Sequence, residues 1–303
     1  MNHQHVSRRE FLARAAVVSA AVSLAPGTIK AAAATKKRFP IIAFSKPFQN
    51  LGPAENAALV ADVGWDGVEM PVRKAGQVVP EKVDDDLPKY LEALRARGKE
   101  ITIATTDVTS VTPLNEKVLR AVSKLGIKRY RLGTFSYAKD KPIADQVKEV
   151  AAKLRDVAAL NKELGLSAGF QNHSGEGRIG APIWDIWTAI QDLDAKAMGF
   201  CFDIGHATIE GGMAWPTNFR LAEPRLTAVF VKDFQWQKSA KGWRAEWCPL
   251  GEGMVDKRFF KQLKATKYEG PICQHHEYEL GDKASMTAHF KKDLAVLREW
   301  LAT

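Results

Sequence analysis

Acids, amides, imidazoles and an amine recur in this 303-residue chain at one kind of place, the residues that follow a short apolar run. Leu166 to Phe170 breaks into Gln171-Asn172-His173-Ser174-Gly175, and Met198 to Phe202 into Asp203-Ile204-Gly205-His206. Val229-Phe230-Val231 gives way to Lys232-Asp233, Ile272-Cys273 to Gln274-His275-His276-Glu277, and Glu69 stands in Gly67-Val68-Glu69-Met70. Two carboxylates with a His and a Lys between them suit removal of a proton beside a carbonyl and its return elsewhere. Lys232, next to an apolar run, could lose its charge to burial or keep it and stabilise a developing oxyanion. The same acids and imidazoles could hold a divalent ion that polarises the carbonyl. Both routes stay open at this level.

Each residue has a plainer reading too. An Asp or Glu after a strand often serves as a helix N-cap or ion-pair partner. Asp203 and His206 go beyond that, because they share a turn in which Gly205 allows close backbone approach. His173 could hydrogen-bond backbone only. His275 and His276 point to opposite sides if the strand continues through them, so at most one of them faces the pocket. Lys232 and Asp233 could form an internal ion pair, with Lys232 the better catalytic candidate. Glu252, between glycines in Pro249-Leu250-Gly251-Glu252-Gly253, shapes its loop or touches ligand.

The elements that must position these groups alternate in type from Arg38 onward. Strands are expected at 41–45, 67–70, 101–105, 129–132, 167–170, 199–202, 226–231 and 271–274. Helices are expected at 53–63, 87–97, 116–125, 143–164, 183–193, 258–265 and 287–301, the fourth ending at the C-cap Gly165. The segment from the sixth strand through Pro224 reads as loop. The strands are continuous in apolar character, which suits a parallel sheet covered on both faces. An open doubly wound sheet would want a Gly-rich phosphate loop after an early strand, and the sequence has none. A single (β/α)8 TIM barrel is the expected fold, and its strand tips converge on one mouth. Phe234 to Gly253, carrying Trp236, Trp243 and Trp247, reads as a hairpin over that mouth. Its indoles would stack on sugar rings, or pack the hairpin down, or form a homodimer contact.

Ser7-Arg8-Arg9-Glu10-Phe11-Leu12, the apolar stretch 15–25 and the run Ala31 to Ala34 follow the order of an export signal of twin-arginine type. Its apolar stretch is about half of the ~20 residues that a membrane span needs. Residues 1–34 are therefore expected to be a cleavable signal for periplasmic or extracellular export, and 35–303 the barrel domain. The formal net charge is +9. Its basic residues are interspersed with acids along helices, as from Lys148 to Asp156, which argues against a nucleic-acid stripe. Three cysteines, Cys201, Cys248 and Cys273, lack zinc-site spacing. Cys201 and Cys273 fall inside strands, where buried thiols are expected.

Taken in order, Gly-Val-Glu69, Gln-Asn-His173, Asp203-x-Gly-His206, Val-Lys-Asp233, Leu-Gly-Glu-Gly253 and His-His-Glu277 resemble the xylose isomerase-like barrel superfamily, closest to its sugar phosphate isomerase/epimerase-like group. The resemblance spans the whole mature chain and implies a sugar isomerase, epimerase or lyase working by proton transfer beside a carbonyl. With it, the reading of the residues gives Glu69, Lys232 and Glu277 as catalytic candidates, and Gln171, Asn172, His173, His206, Trp236, Glu252 and His275 as candidates for binding a sugar or glycoside. Epimerases of the group hold one divalent ion (Mn, Mg, Zn or Co) with Glu, Asp, His and Glu from strands five to eight. The matching positions here are Gln171, Asp203, Phe230 and Glu277. Asp203 and Glu277 thus remain as the metal candidates, while Gln cannot act as base and Phe offers no ligand. The alternatives are a sugar-binding barrel without chemistry, or a nuclease-like member that would need more metal ligands than the chain offers.

Overall fold

The structure, a computed structural model, describes residues 39–303; the export signal expected over 1–34 lies outside the described residues. Eight strands close into a parallel barrel: β1 (Ile41–Phe44), β2 (Gly67–Pro71), β3 (Glu100–Thr105), β4 (Arg129–Arg131), β5 (Ser167–Gln171), β6 (Met198–Asp203), β7 (Leu226–Val231) and, last in the chain, β10 (Ile272–Gln274). β1 pairs with both β2 and β10, which closes the ring and leaves no barrel edge. The intervening β8 (Asp233–Ser239) and β9 (Gly242–Cys248) form the antiparallel hairpin expected over the mouth.

Helices wrap the barrel between strands: α1 (Pro53–Val63), α2 (Val83–Arg95), α3 (Pro113–Lys124), α4 (Ile143–Leu164), α5 (Trp184–Ile190), α6 (Ile204–Gly211), α7 (Trp215–Ala222), α8 (Arg258–Ala265) and α9 (Lys283–Ala302). α4 runs 22 residues and stops at Gly165, whose φ of 65° is the left-handed cap that the sequence suggested. The stretch after β6, read as loop because of Gly211-Gly212 and Pro216, instead folds into α6 and α7. Asp203 caps the first through the backbone N–H of His206. Gly212, at φ 48°, breaks the chain between them, and Pro216 sits in the first turn of the second, where its missing N–H costs nothing. These residues punctuate helices rather than exclude them.

Alternation along each strand sorts the apolar residues into two cores. Outward side chains such as Val68, Ala104, Ala168 and Val229 join the large core beneath the helices. Inward ones, Ile42, Phe44, Ile103, Cys201, Ala228, Phe230 and Cys273, form a separate plug inside the barrel. The buried free thiols of Cys201 and Cys273 lie in this plug. The inward series continues past it, toward the strand C-termini, with Glu69, Thr105, Arg131, Gln171 and Asp203. Among the described residues no helix is long and apolar enough to cross a membrane.

Candidate active site

At the C-terminal ends of the strands the inward residues are joined into a closed circuit of ion pairs and hydrogen bonds. Glu69, fully buried at the tip of β2, takes a hydrogen bond from Thr105 Oγ1 and faces Arg131 Nε at 3.2 Å through one oxygen. Its other oxygen meets His275 Nε2 at 2.8 Å and the Cys273 thiol at 3.1 Å. Arg131 donates onward to the amide oxygen of Gln171. A guanidinium can only donate, so this fixes the amide's orientation and turns its NH2 to Asp203 Oδ2, at 2.8 Å. That same oxygen lies 3.3 Å from Lys232 Nζ, which reaches Glu277 Oε1 at 2.8 Å. Glu277 Oε1 stands 3.7 Å from His275 Nδ1, and the imidazole returns the circuit to Glu69.

The ionisation of these groups follows from their neighbours. Burial would raise Glu69, but Arg131 and His275 outweigh it and hold the carboxyl at about 2. Asp203 is likewise opposed by burial, yet Lys232, His206 and His275 lower it to about 2. Glu277 falls well below the carboxylate range: burial opposes the shift, and Lys232 and His275 override it. All three acids are therefore ionised at neutral pH. His206 is pressed down to about 3 by burial, with Asp203 only partly compensating. Its Nδ1 accepts from the Ser174 backbone N–H at 3.0 Å, so the neutral ring carries its proton on Nε2, toward the pocket. His173 is lowered to about 4, by burial first and then by Arg131 and Lys232. Its Nδ1 sits 3.0 Å from the Gln171 carbonyl, the backbone bond that sequence reading left open.

Packing holds the circuit in place. His275 stacks between Phe44 and Phe230, with ring centroids 4.7 and 4.4 Å away. The Arg131 guanidinium lies over Phe44 at 4.8 Å. Trp247 of β9 roofs the site, 4.3 Å from Lys232 Nζ and edge-on to His206 at 5.1 Å. Gly205 is required here, since a Cβ would come within 2.9 Å of Lys232 Cγ and 2.8 Å of its carbonyl oxygen. Asn172 clamps the turn by donating to the Asp203 carbonyl and accepting from its N–H. Asp203 thus fills both roles the sequence allowed: Oδ1 caps α6 while Oδ2 faces the pocket.

A cleft of about 510 Å³ opens beside this circuit, lined by Phe44, Trp247, Glu277 and Tyr278. Glu277, with 29% of its side chain exposed, is the carboxylate of the circuit that meets it. Larger hollows occur at the strand N-termini, around Arg129 and Tyr268 and around Ser167, away from the charged circuit and on the face where barrels of this kind do not place chemistry.

The structure thus brings Glu69, Gln171, Asn172, His173, Asp203, His206, Lys232, His275 and Glu277 to one place. His275 faces in and His276 out, as alternation required, with His276 packed on Trp65 and Phe290. Glu252 is not part of the group: its carboxylate pairs with exposed Lys292, and its loop is shaped by Asp233, which accepts from the backbone N–H groups of Phe234, Gly251, Gly253 and Val255. Trp236 lies further out on the hairpin, on one face with exposed Trp243. Arg131, Thr105 and Phe44 were missed in the sequence. Their signal was available: Arg131 has the inward parity of Arg129-Tyr130-Arg131, since the Tyr130 side chain packs outward.

The chain belongs to the xylose isomerase-like TIM barrel family, whose profile matches residues 57–300. Among solved structures it is similar to 3-keto-D-glucoside 4-epimerase from E. coli, with 17% identity, a TM-score of 0.67, and coverage of 86% of this chain and 100% of that one. It is similar to D-allulose 3-epimerase from Methylomonas sp. in complex with D-allulose, at 16% identity, TM-score 0.65, and 87% and 97% coverage. A xylose isomerase-like barrel protein from Mycobacterium smegmatis in complex with magnesium aligns at 17% identity and TM-score 0.63, over 87% and 98% of the two chains. At these identities the likeness is one of fold. No curated protein matches the chain in sequence.

The divalent ion that the family resemblance implies does not fit the residues at its expected position. Phe230 has no ligand atom and packs on His275. The Gln171 oxygen is committed to Arg131 and its NH2 to Asp203. Asp203 and Glu277 share an ammonium between them. Elsewhere among the described residues, Glu69, Cys273 and His275 bring ligand-capable atoms within 4.8 Å of one another. That mixed N, S and O set suits a softer ion than magnesium. Here its members satisfy each other, with burial pushing the Cys273 thiol well above its usual range and so keeping it protonated.

Proposed function

We propose that the chain is an exported enzyme that modifies a sugar or sugar derivative by moving a proton on the carbon beside a carbonyl. The observation that carries this reading is Glu277: an ionised carboxylate open to the mouth cleft, backed by an imidazole on one side and an ammonium on the other. Glu277 takes the proton, and the C–H electron pair moves into the carbonyl to give an enediolate. The oxygen that gains charge is placed toward Lys232, whose ammonium keeps donor capacity beyond its Glu277 bond to stabilise it. His275, held by Glu69 through Nε2, presents Nδ1 to Glu277 and keeps the carboxylate oriented through the cycle. Returning the proton from the Glu277 carboxyl to the neighbouring carbon, while the hydroxyl proton passes to the former carbonyl oxygen, gives an isomer. An epimer requires a second donor on the opposite face, a water at the open cleft, with Glu277 then releasing its proton to solvent.

His206 Nε2–H and the flat face of Trp247 supply hydroxyl and ring contacts of the kind sugars need, and Trp236 and Trp243 offer a second pair of flat faces further out on the hairpin. The epimerase names of similar folds agree with that class without fixing the substrate. Export, argued from Arg8-Arg9 and the run after them, places the reaction in the periplasm or outside the cell; fractionation of a tagged chain tests it.

The reaction is tested by incubating the protein with ketoses and keto-glycosides in D2O and following deuterium at the carbon beside the carbonyl. Exchange should occur and fall about 100-fold or more in Glu277→Gln, as expected for loss of a general base. Sugar binding with no exchange across the panel would show a binding barrel instead.

A further inference from the structure

We infer that the Lys232 ammonium stands where a divalent ion would sit, so that the site is assembled and charged without a metal between Asp203 and Glu277. Lys232 Nζ is a cation bridging two carboxylates from adjoining strands, 3.3 Å from Asp203 Oδ2 and 2.8 Å from Glu277 Oε1. Its side chain is 3% exposed, so the bridge is an internal fixture rather than a surface ion pair. The neighbouring positions complete it. Gln171 donates to the same Asp203 oxygen, so that oxygen is already occupied by a neutral donor beside the ammonium. Phe230 contributes a ring that packs on His275 where a metal would want a donor.

Charge argues the same way. Three carboxylates, Glu69, Asp203 and Glu277, face the guanidinium of Arg131, the ammonium of Lys232 and one imidazole. Arg131 and Lys232 already offset two of those three negative charges, so the carboxylates are largely neutralised without a metal. The ammonium also has a donor to spare. One N–H is donated to Glu277 and the charge faces Asp203 at 3.3 Å, which leaves donor capacity beneath Trp247 for a substrate oxygen. Gly205 shows that the backbone is fitted to this lysine, because any Cβ there would collide with its stem.

The inference builds on the proposed function in treating this as the reacting site, but it can be tested without substrate. The probe is Mn²⁺, titrated into the mature protein and followed by the loss of its free-ion EPR signal. Wild type should take up no Mn²⁺ at this position. Lys232→Met, checked for native circular dichroism, leaves two bare carboxylates and should gain a site at least about 100-fold tighter than any in wild type, a change of about 2.8 kcal/mol at tenfold per 1.4. Adding Asp203→Asn should remove the gained site. Mn²⁺ binding by wild type that disappears in Asp203→Asn would overturn the inference, as would a folded Lys232→Met that gains none. Should Lys232→Met fail to fold, the wild-type titration against Asp203→Asn still decides. Absence of deuterium exchange would sink the proposed function and leave this ion titration standing.

Discussion

Replacing Arg131 with Met tests the charged circuit at its most buried point. Glu69 is wholly inside the protein and held at about 2, with Arg131 the largest of the favourable influences against burial. Without the guanidinium the carboxylate has two ways to respond. It can stay ionised and uncompensated, which costs about 3–5 kcal/mol when one partner of a buried pair is removed. Or it can take up a proton. From its ordinary value of 4.5, protonation at pH 7 costs about 3.4 kcal/mol at 1.36 per unit. The second route limits the first, so a loss of about 3–4 kcal/mol is expected at pH 7. In a domain of this size that lowers the melting temperature by roughly 6–16 °C.

The sign of the pH dependence separates this account from a packing defect. In wild type the folded value of Glu69 is depressed, so its contribution is present above 4.5 and is lost only as pH falls toward 2. In the variant the folded value is raised, and between pH 4.5 and 7 the folded chain keeps a proton that the unfolded chain releases. The deficit should therefore grow from pH 5 to pH 7, by as much as about 2.7 kcal/mol. Urea denaturation at the two pH values measures it. Adding Glu69→Gln to Arg131→Met should recover most of the loss, because both charges are then gone. A deficit under about 1 kcal/mol at pH 7, or one equal at pH 5 and 7, would refute the reasoning.

Further outcomes follow from other parts of the site. His173, His206 and His276, lowered mainly by burial to about 4, 3 and 3, stay neutral in the fold while the unfolded chain protonates them below 6.5. Stability should thus be full above that value and fall as pH drops from 6.5 toward 4; a flat urea midpoint across that range would contradict the burial of these rings. Gly205→Ala should cost about 1–3 kcal/mol by urea denaturation and impair turnover through Lys232, and unchanged kinetics would show that the lysine stem has room to move. Asp233→Ala should loosen the hairpin by removing the acceptor for four backbone N–H groups, seen as faster amide hydrogen exchange from Gly251 to Val255. Trp243→Ala, removing a face that is 66% exposed, should raise KM for a sugar substrate about 3–10-fold with kcat nearly unchanged, whereas an effect on kcat alone would place the indole elsewhere in the cycle.

Much of the site was legible in the sequence because strand periodicity is a local property. Apolar runs ending in polar residues announced the strand tips, and alternation put His275 and His276 on opposite sides, of which the structure turns His275 inward. The same rule would have exposed Arg131, had β4 been read for parity as well as for length. Capping chemistry in Asp203 and Pro216 likewise held the information for α6 and α7, masked by glycines that mark their junction.

The sequence by itself determined the eight strand-led units and the placing of Glu69, Gln171, Asp203 and Lys232 at their tips, and through the family resemblance it put Gln171 and Phe230 where epimerases of the group carry metal ligands. It could not determine the partner each charge would choose. Lys232 had Asp233 beside it in the chain, yet closure of the barrel turned the lysine inward to Asp203 and Glu277 and sent Asp233 to cap a loop. That choice belongs to tertiary structure because pairing between charges on separate strands is set by barrel closure and side-chain packing, which bring together residues as distant in the chain as Glu69 and His275.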